Sequence, residues 1–520
     1  MRRSLAIASS FAVVIALSVS GCKPEAQRPS TSATAYYHYV LLASDESGKP
    51  VAFARVIIAP GDPCPTITGD QTLPMSKRDN PHGFSVDVCE AVIPFDSDLQ
   101  IETGTELLTL PTARTDPVHI LAMGDTGCKS KTCSGPASPF DALASAAAAK
   151  SWDLILHMGD YNYRGTSGVK PGGDYPYDAG DGSPQSADCE QAPDSGFVSQ
   201  NTPDGQYRDQ WETWRDDFFL PASSPAGNLL SAAPWILARG NHELCSRAGP
   251  GWFYFLDPGS ALLGSGGPQL SCPTPDPDKN PIDSVILGKP YAVDLGSLNV
   301  VVLDSANACD AFAPAAAQDF LDAYASQFSA VDTLASGSQH SWLMTHRPIW
   351  GVQSYEAGSS TACSAAQTYS CVNQTLQYGI ANSSSGRLAP GIDLSLAGHM
   401  HHFQSLTFPS DTLPPQLIIG DGGVELGDYG PGTGTMNPEP TIAGLQAQGV
   451  AIGVSAEVSG TSVPGYGFLE ISYGPNGAWT GSLSNLQASV ELASCGVPVS
   501  ESGVCSLNEG TTGQLEPTDP

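Results

Sequence analysis

Basic residues are scarce in this chain: 22 Lys and Arg stand against 53 Asp and Glu, a formal net charge of −31. No Lys/Arg cluster offsets that field locally, so nucleic acid and anionic membrane surfaces are excluded as partners. Charged residues make up only 14% of a chain that holds 55 Gly and 43 Pro, a composition of turns and long ordered loops that excludes coiled coils and helical bundles. None of the 13 cysteines forms a C-x2-C pair, which disfavours a Cys-rich zinc site. No G-x-x-x-x-G-K-[ST] motif and no Ser nucleophile elbow occur, so P-loop and serine-hydrolase chemistry drop out. The chain has no internal repeat. What it does have is length, 520 residues with 41% hydrophobic content, ample for a large buried core.

The start, "MRRSLAIASSFAVVIALSVSGC", has a basic opening, an apolar run and a small-residue exit. It is read as a signal peptide over residues 1–21, too short to span a bilayer. Val19-Ser20-Gly21-Cys22 resembles a bacterial lipobox, which implies an acylated Cys22 followed by a Pro/Ser/Thr-rich tether over 22–35. The expectation is an exported protein, lipid-anchored to the bacterial cell envelope and touching the membrane through that anchor only. Twelve cysteines then remain, an even number compatible with six disulfides in an oxidising compartment. Short spacings favour Cys128–Cys133, Cys363–Cys371 and Cys495–Cys505, and Cys64 with Cys89 suits a staple in the first folded segment.

Residues 36–115 contain "YYHYVLLA", "VAFARVIIA" and "FSVDVCEAVIPF", apolar and β-branched runs separated by turn clusters, which predict a small β-rich domain. From 116 to about 475 apolar strands alternate with helical stretches, the mark of an α/β or layered α+β architecture with a central sheet. Residues 476–520 read as a C-terminal extension, partly disordered, ending in "NEGTTGQLEPTDP".

Within the second segment the strand ends carry the chemistry. Five apolar runs close on Gly124-Asp125-Thr126-Gly127, Gly159-Asp160, Gly240-Asn241-His242-Glu243, Thr345-His346-Arg347 and Gly398-His399-Met400-His401. Groups at the carboxyl ends of strands converge in open α/β sheets however far apart they lie in sequence. Asp125, Asp160, Asn241, His346, His399 and His401 form a mixed N/O donor set suited to zinc, iron, manganese or nickel. One Asp can serve two adjacent ions, because each carboxylate oxygen can bind a separate cation.

The order GD-x-G, GD-x-x-Y, GNHE, x-x-H, GH-x-H resembles the calcineurin-like metallophosphoesterase superfamily, and within it the purple-acid-phosphatase-like branch. Many members carry D-x-H in the first block, whereas position 127 here is Gly and Tyr163 stands three residues after Asp160, as in the purple enzymes. The resemblance implies a metallophosphoesterase-type β-sandwich flanked by helices and a pair of metal ions, Fe(III) beside a divalent Fe, Zn or Mn. It assigns Asp125, Asp160, Tyr163 and His401 to the first ion and Asp160, Asn241, His346 and His399 to the second. It makes His242 the group that stabilises or protonates at phosphorus, with Glu243 as its orienting partner. Arg239, Arg347 and Arg164 lie nearby in sequence as phosphate contacts that the pattern does not fix. The implied activity is metal-assisted hydrolysis of phosphate monoesters on a small phosphorylated substrate. A phosphodiesterase or nucleotide hydrolase with the same site, and a non-catalytic metal-binding surface lipoprotein, are the alternatives.

Overall fold

The computed structural model describes residues 35–104, 106–128, 138–163, 209–224, 227–245, 247–259, 269–272, 286–308, 317–351, 373–407, 413–424, 466–485, 491–500 and 503–507, with a few short pieces between them. The signal segment, Cys22, the tether, Arg164, Cys133 and the Cys363–Cys371 pair lie outside the described residues.

The first part of the chain supplies β1 (Ala35–Ser44), β2 (Pro50–Ile58), β3 (Asp87–Ile93), β4 (His119–Met123), helix α1 (Pro139–Ala148), β5 (Leu154–His157) and β6 (Trp235–Leu237). The middle supplies β7 (Tyr291–Leu295), β8 (Leu298–Val302), α2 (Ala317–Ala335), β9 (Ser341–Met344), α3 (Gln374–Ala381), β10 (Ile392–Ala397), β11 (Phe403–Thr407) and β12 (Gln416–Ile419). The end supplies β13 (Gly467–Tyr473), β14 (Trp479–Asn485), β15 (Glu491–Ser500) and β16 (Gly503–Leu507). First and last parts share one eleven-stranded sheet, ordered β16-β15-β14-β13-β4-β5-β6-β1-β2-β3 with Ser76–Lys77 at its edge. The middle part builds a seven-stranded sheet, β7-β8-β9-β10-β12-β11, closed by Ala451–Ile452.

Strand alternation decides the layering. In β4, Ile120 and Ala122 face inward to meet Val300, Trp342, Leu394 and Leu396 of the second sheet in one buried core. Leu121 and Met123 face outward, where Phe140, Leu143, Ala144 and Ala147 form the apolar stripe of α1. That helix starts where it does because the Ser138 hydroxyl accepts the Phe140 N–H and a proline occupies its first turn. On the far side, Val301, Leu343 and Ile392 pack against Tyr324, Phe328 and Val331 of α2 and Leu376 of α3. The result is a helix–sheet–sheet–helix sandwich, the α/β architecture with flanking helices expected from the sequence. Phe140, wholly buried between α1 and the sheet, is a point where truncation to Ala would cost about 3–5 kcal/mol.

The boundary expected near residue 115 does not interrupt the first sheet. β1 runs parallel to β6 with Leu41 opposite Trp235, and β2 and β3 continue the same sheet outward. Two buried guanidiniums fasten this segment to the rest. Arg55 donates to the carbonyls of Phe255 (2.7 Å) and Asp257 (2.6 Å), and Arg78 to those of Phe253 (2.8 Å) and Tyr254 (3.1 Å). Both also pair with Glu90. The segment after residue 475 likewise adds β14 to β16 to the opposite edge. Cys64–Cys89 and Cys495–Cys505 are disulfides as expected, Cys128 is disulfide-bonded, and Cys245–Cys272 is a pair that spacing did not single out. Such bonds belong to an oxidising compartment. Among the described residues no helix is long and apolar enough to cross a membrane.

Candidate metal centre

β4, β5 and β6 are parallel neighbours in the first sheet, and β9 and β10 are parallel neighbours in the second. Their carboxyl ends open at the same edge of the sandwich. Asp125 follows β4, Asp160 follows β5, Asn241 follows β6, His346 follows β9 and His399 follows β10. The turns that deliver these side chains are tight. Asp125 (φ 58°), Asp160 (φ 61°) and His399 (φ 73°) all occupy the left-handed region that L-residues rarely adopt. Three such residues at one place are strain held by surrounding structure, the pattern of a functional site.

The loops are bound to one another. The Asp125 N–H donates to Gly159 O (2.9 Å), the Gly398 N–H to His346 O (2.9 Å) and the Gly422 N–H to Gly124 O (3.0 Å). The Asp125 carboxylate accepts the His399 N–H (2.8 Å), tying the first sheet's loop to the second's. Close approach explains the glycines. A Cβ on Gly159 would stand 2.6 Å from His346 Nδ1 and 2.9 Å from Gly240 Cα.

Two trios of side chains present ligand atoms within 4.8 Å of one another, Asp160–His346–His399 and Asp125–Asp160–His401, and Asp160 belongs to both. His346 shows why a cation suits the place. Its Nδ1 lies 2.6 Å from the Met158 carbonyl, which can only accept, so Nδ1 carries the proton and Nε2 presents a lone pair. That lone pair meets two further acceptors, Asn241 Oδ1 at 2.9 Å and Asp160 Oδ1 at 3.3 Å. His399 Nδ1 converges on the same Asn241 oxygen at 3.0 Å. The lone pairs of His346 Nε2, Asn241 Oδ1 and Asp160 Oδ1 directed at a common point, with a carbonyl fixing the His346 tautomer, are the donor arrangement of a transition-metal site. The second trio is completed by Tyr163, whose hydroxyl donates to Asp125 Oδ1 (2.9 Å) and lies 3.0 Å from His401 Nε2. A side chain at position 127 could not share that space: its Cβ would lie 2.6 Å from the Tyr163 ring and 2.8 Å from Tyr161 O.

Charge follows the same logic. Burial, and then the Asp160 carboxylate, push Asp125 well above the usual carboxylate range. Asp160 is equally buried, yet His346 and His242, when protonated, hold it well below, helped by the His242 N–H that it accepts. Burial and then Asp125 and Asp160 push the Tyr163 phenol well up. Two carboxylates and a phenol crowded out of water favour a partner of high positive charge.

The remaining expected residues divide. His242 is half-buried, donates its backbone N–H to Asp160 Oδ1 (2.9 Å) and packs its ring on Tyr163 with centroids 4.1 Å apart. Arg347 reaches the site, with Nη1 3.3 Å from His399 Nε2. Arg239 turns into the interior instead, donating to Ile286 O (2.8 Å) and pairing with Asp304 (3.2 Å), because a buried guanidinium needs a counter-charge there. Glu243, expected as the orienting partner of His242, has its oxygens taken up by the backbone N–H groups of Gly240, Asp160, Tyr161 and Asn162. Sequence reading passed over His157, whose Nδ1 accepts the Gly159 N–H (3.2 Å) while Nε2 meets Thr126 Oγ1 (2.9 Å). It also passed over Ser305, whose hydroxyl accepts the N–H groups of His346 (3.0 Å) and Arg347 (2.8 Å). Only the apolar runs before them hinted at either.

A sequence profile described as calcineurin-like phosphoesterase matches residues 118–403. The chain belongs to that family. As a family member the phosphoesterase is a metal-dependent phosphoric ester hydrolase, and its site implies a dinuclear centre. Solved structures similar to the phosphoesterase include the purple acid phosphatase PPD1 from yellow lupin (Lupinus luteus) seeds, at 11% identity and TM-score 0.44, covering 89% of this chain and 74% of that one. PhoD is similar at 13% identity and TM-score 0.46, covering 90% of each chain. GAP50, the anchor in the inner membrane complex of Plasmodium, is similar at 11% identity and TM-score 0.34, covering 73% and 88%. Among curated proteins none matches the phosphoesterase.

Proposed function

We propose that this chain hydrolyses phosphate monoesters at a purple-type dinuclear centre, exported and held at the cell envelope through Cys22. The observation that carries the reading is Tyr163, whose hydroxyl joins Asp125 and His401 and whose ring fills the place a side chain at Gly127 would need. Asp125, Asp160, Tyr163 and His401 would hold one ion, and Asp160, Asn241, His346 and His399 the other. A phenolate is a hard anionic donor, so the first position favours Fe(III) and the second a divalent Fe, Zn or Mn. Bound there, the pair would supply an acidified water and positive charge for phosphate oxygens.

The chain's own groups complete the work. His242, half-buried beside Tyr163, has the position to hold a proton for the leaving oxygen. The Arg347 guanidinium beside His399 adds a second cationic group, which suits a doubly charged monoester better than a singly charged diester. In a chain of net charge −31, such local positive charge is what lets an anionic substrate approach. The test is hydrolysis of p-nitrophenyl phosphate against its bis ester by the purified, metal-loaded protein. A larger kcat/KM on the monoester is expected; a larger value on the diester would replace this reading with that of a phosphodiesterase.

A further inference from the structure

Glu243 has no part in the chemistry assigned above, yet it is wholly buried and fully occupied. Its Oε2 accepts the N–H groups of Gly240 (3.1 Å) and Asp160 (3.0 Å), and its Oε1 those of Tyr161 (2.9 Å) and Asn162 (3.1 Å). A carboxylate offers about four lone-pair sites and each is used once. The donors come from two loops. Gly240 precedes Asn241, a ligand of one ion, while Asp160 is the side chain common to both. Asp160 stands at φ 61° and follows Gly159 at φ 99°, a reversal that aims consecutive N–H groups to one side. Successive N–H groups in such a turn form a concave anion-binding nest. Here the anion is a side chain of the same protein, three residues beyond the other loop's glycine.

From this geometry we infer that Glu243 is a positioning residue that clasps the Asp160 loop to the Asn241 loop, presenting ligands to both ions in one register. The inference rests on the dinuclear reading of the site. Removal of the clasp leaves four inward-facing N–H groups without acceptors, and the left-handed turn at Asp160 loses its counterweight. Supporting groups of this kind change metal affinity by about 10–100-fold. Glutamine is the informative replacement, because its shape is the same and its NH2 would face two N–H donors.

The experiment pairs Glu243→Gln and Glu243→Asp with the wild type in the full chain and measures Zn2+ and Mn2+ affinity by equilibrium dialysis. Both ions should bind at least about tenfold more weakly in each variant. Activity should return at saturating metal with an unchanged pH profile. Unchanged affinity, or full loading with a depressed kcat and a lost limb of the pH profile, would overturn the inference and make Glu243 a direct participant in proton transfer. A second measurement needs no variant: amide hydrogen exchange of metal-stripped wild type should show Asp160, Tyr161 and Asn162 protected. Rapid exchange at those amides in the folded protein would refute the clasp whether or not the variants fold. Wild type that binds no pair of ions would instead count against the dinuclear reading, which the exchange result does not depend on.

Discussion

Gly240→Ala adds one methyl group at the point where the two ligand loops touch. Gly240 sits at φ −87° and ψ 171°, a conformation alanine adopts freely, so backbone strain contributes nothing to the cost. Space decides the outcome. The new Cβ would stand 2.7 Å from Glu243 Oε2 and closer still to the backbone nitrogen and Oδ1 of Asp160. A backbone nitrogen cannot rotate away as a flexible side chain can, so the Asp160 loop itself must shift. Forcing a methyl group into a packed site costs about 1–3 kcal/mol, and the reduced entropy of the unfolded chain returns about 0.4–1 kcal/mol. The net expected loss is about 1–2 kcal/mol, accompanied by metal binding weakened about 10–100-fold because the shared ligand moves. Urea unfolding of metal-stripped protein reads the first quantity and metal titration the second. Gly337→Ala is the control, since nothing lies within 4 Å of a Cβ there; it should leave both quantities unchanged or raise stability slightly. A Gly240→Ala protein with the wild-type urea midpoint and wild-type affinity would refute the claim that the loops are in contact.

Further outcomes follow from the same geometry. Asp160→Asn should lower the content of both ions together, because the one carboxylate belongs to both trios; metal analysis of the purified variant that finds two ions retained would remove Asp160 from the bridging position. Loaded with iron under oxidising conditions, wild type should absorb in the visible through a phenolate–Fe(III) charge-transfer band that Tyr163→Phe abolishes; colourless, active wild type with stoichiometric iron would show that Tyr163 is no ligand. Cys22→Ser should move the protein from the detergent phase to the aqueous phase of a phase-partition assay, since an acyl chain is the expected anchor; retention in the detergent phase after signal processing would refute acylation at Cys22.

The candidate ligands were legible in the sequence because each lies just beyond an apolar run, and strand ends in parallel sheets share an edge. The pair Gly127 and Tyr163 was legible as a substitution of one donor for another, and the structure adds the reason in the ring that fills the glycine's space. The surroundings of Glu243 were not legible, because the motif places it beside His242 while the fold directs its carboxylate across to a loop more than eighty residues earlier. The architecture of the first segment was half legible. Apolar, β-branched runs between turn clusters predicted strands, but nothing local in "YYHYVLLA" says that Leu41 will face Trp235, since pairing between distant segments is decided by the assembled core. Arg239, which the pattern did not fix, could not be placed from sequence for a related reason: its partner Asp304 is contributed by the other sheet's segment. Cysteine spacing found the hairpin disulfide Cys495–Cys505, whose strands are adjacent in sequence, and passed over Cys245–Cys272, which joins two loops.

The placement of β13 beside β4 governs the order in which the protein can be completed. Strand β4 carries Asp125 at its end, but its neighbour on one side is not synthesised until residues 467–473, after every ligand including His401 already exists as chain. The two partial ligand sets are therefore made early and late, and no N-terminal fragment short of β13 has both sheets closed around them. Long-range pairings of this kind form slowly and late. A chain cut short before β13 therefore leaves the strand that carries Asp125 without its partner on that side.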